Sequence, residues 1–253
     1  MGSSGSTFYD NDTISATYRQ GRQRPDNPND TLEKPVMLEL IGAVAGKNVL
    51  DLGCGDAAIG REFLQGGATA YVGVDGSANM VALATQTLAG TSGRAIHHAI
   101  EDWQYPETTF DLVLARLVLH YVADLPALCA QIWQTLQPGG KFVFSVEHPV
   151  ITSTDRGWTK GGARQDWLVD NYFDTGLRVT DWMGGRVEKY HRTVEDYFSG
   201  LQRASFIVEH LRESSPQRQH FQDEQTYLRR KRIPLFLFMA GRKLTSTPMG
   251  KER

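Results

Sequence analysis

From Asn48 onward, short apolar runs suited to buried parallel strands alternate with stretches of helical periodicity. Val49-Leu50-Asp51-Leu52 predicts a first strand and residues 70–75 a second, with a helix over 59–65 between them. A helix over 79–88 leads to a third strand at 94–99, and a fourth follows at 110–115. A helix over 125–136 stops at Pro138-Gly139-Gly140, ahead of a fifth strand at 141–146. Such alternation implies right-handed crossovers and a parallel sheet covered on both faces.

The flanks read differently. Residues 7–30 are polar and predict a short helix followed by a loop, after a Gly/Ser-rich start that reads as a flexible tail or an expression remnant. Asp30-Thr31-Leu32-Glu33 has the form of a capping box opening an amphipathic helix through residue 41. Past Glu147 the alternation breaks, and 152–192 shows no sustained period. Its Trp158, Trp167, Tyr172, Phe173 and Trp182 are too apolar for a linker, so 147–192 is expected to form a cap insertion after the fifth strand. A helix over 194–203 and strands at 206–211 and 233–240 resume the fold, separated by the polar stretch 212–232. No internal repeat is visible, so one domain over 1–253 is expected: an α/β, Rossmann-like, doubly wound and mostly parallel seven-stranded sheet with helices on both faces.

Composition narrows the class. Across 253 residues, 40% are hydrophobic and 22% charged, which is ordinary globular usage. A net charge of -2 argues against a dedicated nucleic-acid binder, and Arg229-Arg230-Lys231-Arg232 reads as a short solvated run. Two cysteines, Cys54 and Cys129, are too few for a disulfide framework and fit a reducing cytoplasm. There is neither an apolar run of membrane-spanning length nor a secretory signal, so a cytoplasmic protein without membrane contact is expected.

Candidate chemistry begins where the first strand runs into Gly53-Cys54-Gly55-Asp56-Ala57 and then a helix. Glycines there let the backbone approach a ligand, and the helix start presents unpaired N–H groups. Asp51 lies just inside the strand end, and Asp75 ends the second strand, where a carboxylate can accept ribose hydroxyls. The glycine order departs from the G-x-G-x-x-G of dinucleotide binders, which disfavours the alternative of a nicotinamide-type oxidoreductase. A non-catalytic cofactor-binding module is the other alternative.

With these residues in place, the chain resembles the class I S-adenosylmethionine-dependent methyltransferase family, and within it the small-molecule branch. The resemblance covers nearly all of 47–146. The family pattern D/E-x-G-x-G-x-G is met by Asp51, Gly53 and Gly55 around Cys54, with Ala57 at the third glycine. The resemblance implies S-adenosyl-L-methionine as cofactor, Asp75 as ribose carboxylate, and Gly76, Ser77 and Met80 beside the adenine. It implies adenine-edge contacts from Ile100, Glu101 and Asp102, where Ala99 replaces the usual acid. Phe110-Asp111-Leu112-Val113 and Pro138-Gly139-Gly140 also match, and Arg116 and Leu117 fall where relatives line the methionine end. Tyr18, with Arg22 or Arg24, resembles the pair that relatives fold over the methionine carboxylate. Arg24 is carried in the candidate set, and 1–46 is expected to form a helical lid.

Methyl transfer from a sulfonium needs an aligned nucleophile and, where necessary, a proton acceptor, but no metal. His148, directly after the fifth strand, is the candidate general base, with a structural histidine as the bland alternative. His120-Tyr121 reads as pocket support and Tyr190-His191-Arg192 as loop packing. The histidines show no zinc spacing, no G-x-S-x-G elbow is present, and Ala115-Arg116-Leu117-Val118 stands where base-amine methyltransferases carry their Pro-Pro motif. A small-molecule acceptor is therefore expected.

Overall fold

The computed structural model describes residues 3–159 and 166–245. Two short helices, α1 (Gly5–Phe8) and α2 (Asp12–Arg22), precede a π turn over Asn29–Glu33 and α3 (Lys34–Ile41). Then come β1 (Asn48–Leu52), α4 (Ala58–Gln65), β2 (Ala70–Asp75), α5 (Ala78–Leu88), β3 (Gly93–His97) and β4 (Phe110–Arg116). α6 (Leu125–Thr135) runs directly into β5 (Leu136–Glu147), and the one-turn α7 (Pro149–Thr152) leads to β6 (Gly176–Trp182) and β7 (Gly185–His191). α8 (Val194–Arg203), β8 (Ile207–Glu213), α9 (Glu224–Arg230) and β9 (Phe236–Arg242) follow.

Seven strands form one sheet in the order β3-β2-β1-β4-β5-β9-β8. The first five are parallel, and β9 runs antiparallel to β5 and β8. Successive strand side chains point to opposite faces, so each apolar strand feeds two cores. Leu50, Leu52, Val113 and Phe144 pack with α6 and α8, whereas Val49, Leu112, Leu114 and Val143 pack with α3 and α4. The strand order reverses between β1 and β4, and the loops beyond their carboxyl ends part to leave a crevice.

Four elements depart from the expectation. The supposed capping box is a π turn, in which Thr31, Leu32 and Glu33 are all buried. Pro35 has no N–H to return to the Thr31 carbonyl, and the ladder widens so that Lys34 N–H reaches Asn29 O. Pro138-Gly139-Gly140 lies inside β5 rather than ahead of it, where the register against β4 shifts and Gly139 takes φ 82°.

The stretch without a period contains the hairpin β6–β7, joined through Met183 and Gly184 at φ 50° and 84°, as a tight two-residue hairpin turn requires. Its polar residues fall on both faces, which erased the alternation. The chain start is not a loose tail from Ser3 onward: Ser3 N–H donates to Arg186 O at 2.9 Å and Ser3 O accepts from Glu188 N–H at 3.0 Å. Met1 and Gly2 lie outside the described residues.

Candidate functional site

The turn after β1 is shaped by positive φ: 69° at Gly53, 55° at Gly55 and 54° at Ala57, the last occupying a left-handed position that glycine would fill without strain. A Cβ on Gly53 would stand 2.6 Å from Val118 Cγ2, so the backbone itself forms the wall there. Asp75, at the end of β2, ties this turn to the next: Oδ2 accepts Gly55 N–H at 2.8 Å and Oδ1 accepts Ser77 N–H at 2.9 Å. Burial raises the Asp75 pKa, and those two N–H groups partly offset the rise.

Two adjoining clefts open above the turn, of about 700 and about 460 Å³. Tyr18, Gly53, Gly55, Arg116 and Leu117 border both. Asp75, Gly76, Met80, Ile100 and Glu101 line the larger, while Asp51 and Cys54 line the smaller. Asp102 borders neither cleft, and Ser77 instead caps α5 through its hydroxyl. Arg24 is exposed and borders neither; Arg22 borders the smaller cleft, because α2 ends at Arg22 and the chain then turns outward.

The smaller cleft gathers charged groups with unused hydrogen-bonding capacity. Asp51 is 1% exposed; its Oδ2 accepts the Tyr71 hydroxyl at 2.7 Å, and its Oδ1 is buried without a partner among the described residues. Burial raises its pKa to about 7 despite the Tyr71 bond and the nearby Arg116 charge. Arg22 gives Nη2 to Asp30 Oδ1 at 2.9 Å and keeps Nη1 buried with no partner among the described residues. Arg116 gives Nε to Glu33 Oε1 at 3.1 Å and Nη2 to Glu33 Oε2, which turns the Nη1 edge away from Glu33. Burial lowers the Arg116 pKa, but Glu33 raises it above its ordinary value, so the guanidinium stays charged.

The N-terminal segment covers the larger cleft with Gly5, Tyr9 and Tyr18, and burial raises the Tyr18 pKa to about 12. Asp10 fastens this roof to α5: Oδ1 accepts Ser77 Oγ–H at 2.8 Å, and Asn79 Nδ2 donates to Asp10 O at 3.1 Å. Beside it, Lys189 of β7 is 4% exposed and donates to both Glu147 oxygens at 2.7 and 2.9 Å. Burial would raise the Glu147 pKa, yet the Lys189 and His120 charges bring it below the ordinary carboxylate value. The Lys189 ammonium lies 4.7 Å from the Trp182 ring centre and 5.8 Å from that of Tyr121. Glu147, Lys189 and Trp182 also border a cavity of about 1190 Å³ under the hairpin.

His148 borders neither of the two clefts nor the cavity under the hairpin. Its Nδ1 accepts Val150 N–H at 3.2 Å as the cap of α7, which leaves the proton on Nε2, and this donates to Glu213 Oε1 at 2.9 Å. Both ring nitrogens are thus engaged, the arrangement that the structural alternative to a general base describes. His191 likewise bonds Thr152 Oγ1 at 2.7 Å and Tyr172 O at 2.9 Å, and Arg192 donates to backbone carbonyls of 119, 122 and 123. Tyr121, read as pocket support, lines the larger cleft, and the clefts add three residues that the sequence did not single out for the site: Tyr9, Asn29 and Glu33. Tyr9 left a faint signal, an aromatic pair with Phe8 in a polar stretch, while Glu33 was disguised as a cap.

The model of a family described as methyltransferase domain matches residues 50–144. An uncharacterized protein of Haemophilus influenzae is 32% identical over 217 residues, 82% of this chain and 85% of that one. The solved structure of an S-adenosylmethionine-dependent methyltransferase from Mesorhizobium loti superposes with a TM-score of 0.77 at 33% identity, over 83% of this chain and 97% of that one. Phosphoethanolamine N-methyltransferase of Triticum aestivum is 32% identical over 111 residues, which is 43% of this chain and 22% of that longer protein.

Proposed function

The chain belongs to the class I S-adenosylmethionine-dependent methyltransferase family, and from that premise we propose that it methylates a small-molecule acceptor beneath a roof formed by its own N-terminal segment. One observation carries the placement of the cofactor. Among the described residues, Asp51 Oδ1 is an acceptor without a donor and Arg22 Nη1 a donor without an acceptor, in the cleft that Arg116 also borders. That set complements an α-amino acid zwitterion, whose ammonium gives to Asp51 and whose carboxylate takes from the two arginines. A dinucleotide pyrophosphate would offer Asp51 no donor.

In this reading Asp75 holds the ribose, and Met80 and Ile100 flank the adenine. When bound, the cofactor supplies a methyl group already activated by the sulfonium. The protein then has to align the acceptor and exclude water. Tyr9 and Tyr121 fill the side of the cleft that faces Trp182 and the Glu147–Lys189 pair. We place the acceptor's route there, from the cavity under the hairpin toward the cleft. The span 147–192 acts as the cap that selects it. The name of the wheat relative makes phosphoethanolamine one acceptor to assay, among small amines and carboxylates.

Calorimetric titration with S-adenosylmethionine, S-adenosylhomocysteine and NADH tests the cofactor, followed by a metabolite-extract screen that tracks label from methyl-labelled cofactor. Label entering a low-mass product supports the reading. Label entering only protein or nucleic acid overturns it.

A further inference from the structure

We propose that Glu33 is a positioning residue for the cofactor's amino-acid end, acting through Arg116; the inference rests on the cofactor placement proposed above. Glu33 is 0% exposed, and a buried carboxylate is retained only where partners compensate for lost hydration. Three donors meet it: Arg116 Nε and Nη2, and the Ser145 hydroxyl, which reaches Oε1 at 2.8 Å. Ser145 Oγ in turn accepts Leu117 N–H at 3.1 Å, at a residue held at φ 53° on the border of both clefts. The carboxylate thus joins the π turn, the end of β4 and the carboxyl end of β5.

The engaged edge of Arg116 decides the outcome. A guanidinium is a rigid planar fork, and occupying Nε and Nη2 fixes the direction of Nη1. Nη1 has no partner among the described residues, and the side chain borders both clefts. Glu33 meets Arg116 from the last position of the π turn. Asn29 and Glu33, four positions apart across the π turn, both border the smaller cleft. Glu33 also neutralises Arg116 before any ligand arrives, so the pocket matches a zwitterion rather than a plain anion.

The test compares two ligands by titration of the full chain: S-adenosylhomocysteine, which has the amino-acid end, and methylthioadenosine, which lacks it. Glu33→Gln should bind S-adenosylhomocysteine about tenfold or more weakly while methylthioadenosine stays within about twofold, the scale of a lost charge-assisted bond. Added to Arg116→Met, it should bring no further loss, because the two residues act as one unit. Should Glu33→Gln fail to fold, Glu33→Asp keeps the charge and shortens the reach, and should show the same selective loss. Unchanged S-adenosylhomocysteine affinity, equal losses for both ligands, or additive losses in the double variant would overturn the inference. If Arg116→Met alone leaves S-adenosylhomocysteine affinity unchanged, the cofactor placement fails instead.

Discussion

The Tyr71 hydroxyl donates to Asp51 Oδ2 across adjacent strands at 2.7 Å, deep below the smaller cleft. Gly60 makes room for this: a Cβ there would lie 2.3 Å from the Tyr71 ring. The bond leaves Oδ1 as the single open acceptor and favours the ionised carboxylate against burial.

Cofactor affinity should therefore depend on pH. In the unliganded fold Asp51 titrates at about 7 rather than 3.8, so the folded chain binds more protons than the unfolded one between those values, and its stability falls as pH rises through that window. A bound ammonium favours the carboxylate, so affinity should rise between about pH 6 and about pH 8 with proton release below neutrality. Tyr71→Phe should move this window upward and weaken binding at neutral pH. Calorimetry in two buffers of different ionisation enthalpy reads the proton count, and flat affinity across the range removes Asp51 from the site.

Asp75→Ala should lose about 1.5–3 kcal/mol of cofactor binding, the scale of charge-assisted hydrogen bonds. Because Asp75 also ties down Gly55 and Ser77, thermal unfolding of the Ala variant serves as control for the turn. Equal affinity in folded Asp75→Ala would show that the ribose lies elsewhere.

Gly53→Ala should cost about 1–2 kcal/mol for a left-handed φ, with further loss from contact with Val118. Thermal unfolding should register that cost. Cofactor titration should show weaker binding even at temperatures where the variant is folded.

His148→Ala should destabilise the fold by about 1–2 kcal/mol through the lost α7 cap, and leave turnover within a few-fold instead of the ~10²–10⁴ of a lost general base. Burial lowers the His148 pKa from 6.5 although Glu213 opposes it, so the unfolded chain takes up the proton first. Stability from the neutral ring is complete above 6.5 and declines as pH falls below it, a slope the variant should partly lose. A collapse of turnover at unchanged stability would restore His148 to the chemistry.

The sheet was legible because buried parallel strands are continuous apolar runs, and 49–52, 70–75 and 110–115 carry that signal without interference. The turn after β1 was legible for a similar reason, since Gly53, Gly55, Asp51 and Asp75 are close in sequence to the strands that place them. What stayed hidden depends on distant contacts. Glu33 meets Arg116 across 83 positions, and nothing local distinguishes it from the end of a capping box. The β6–β7 hairpin carries Arg178, Thr180 and Lys189 on the face that turns inward, which defeats a pattern search built on apolar alternation. His148, a histidine after a strand end, has the address of a catalytic residue in the sequence, while its hydrogen bonds to Val150 and Glu213 show only in three dimensions.

The roof over the larger cleft bears on how the protein comes into being. Ser3 pairs beside Val187, and Asp10 is fastened to Ser77, so residues made first wait for partners made much later. On a ribosome the β1–β2 unit can pair early, but the space above it stays uncovered until the hairpin has emerged. Contacts so distant in sequence form late and slowly. Cofactor present during synthesis should consequently favour completion of the roof, and refolding followed by tyrosine fluorescence should show a slow final phase that S-adenosylhomocysteine accelerates.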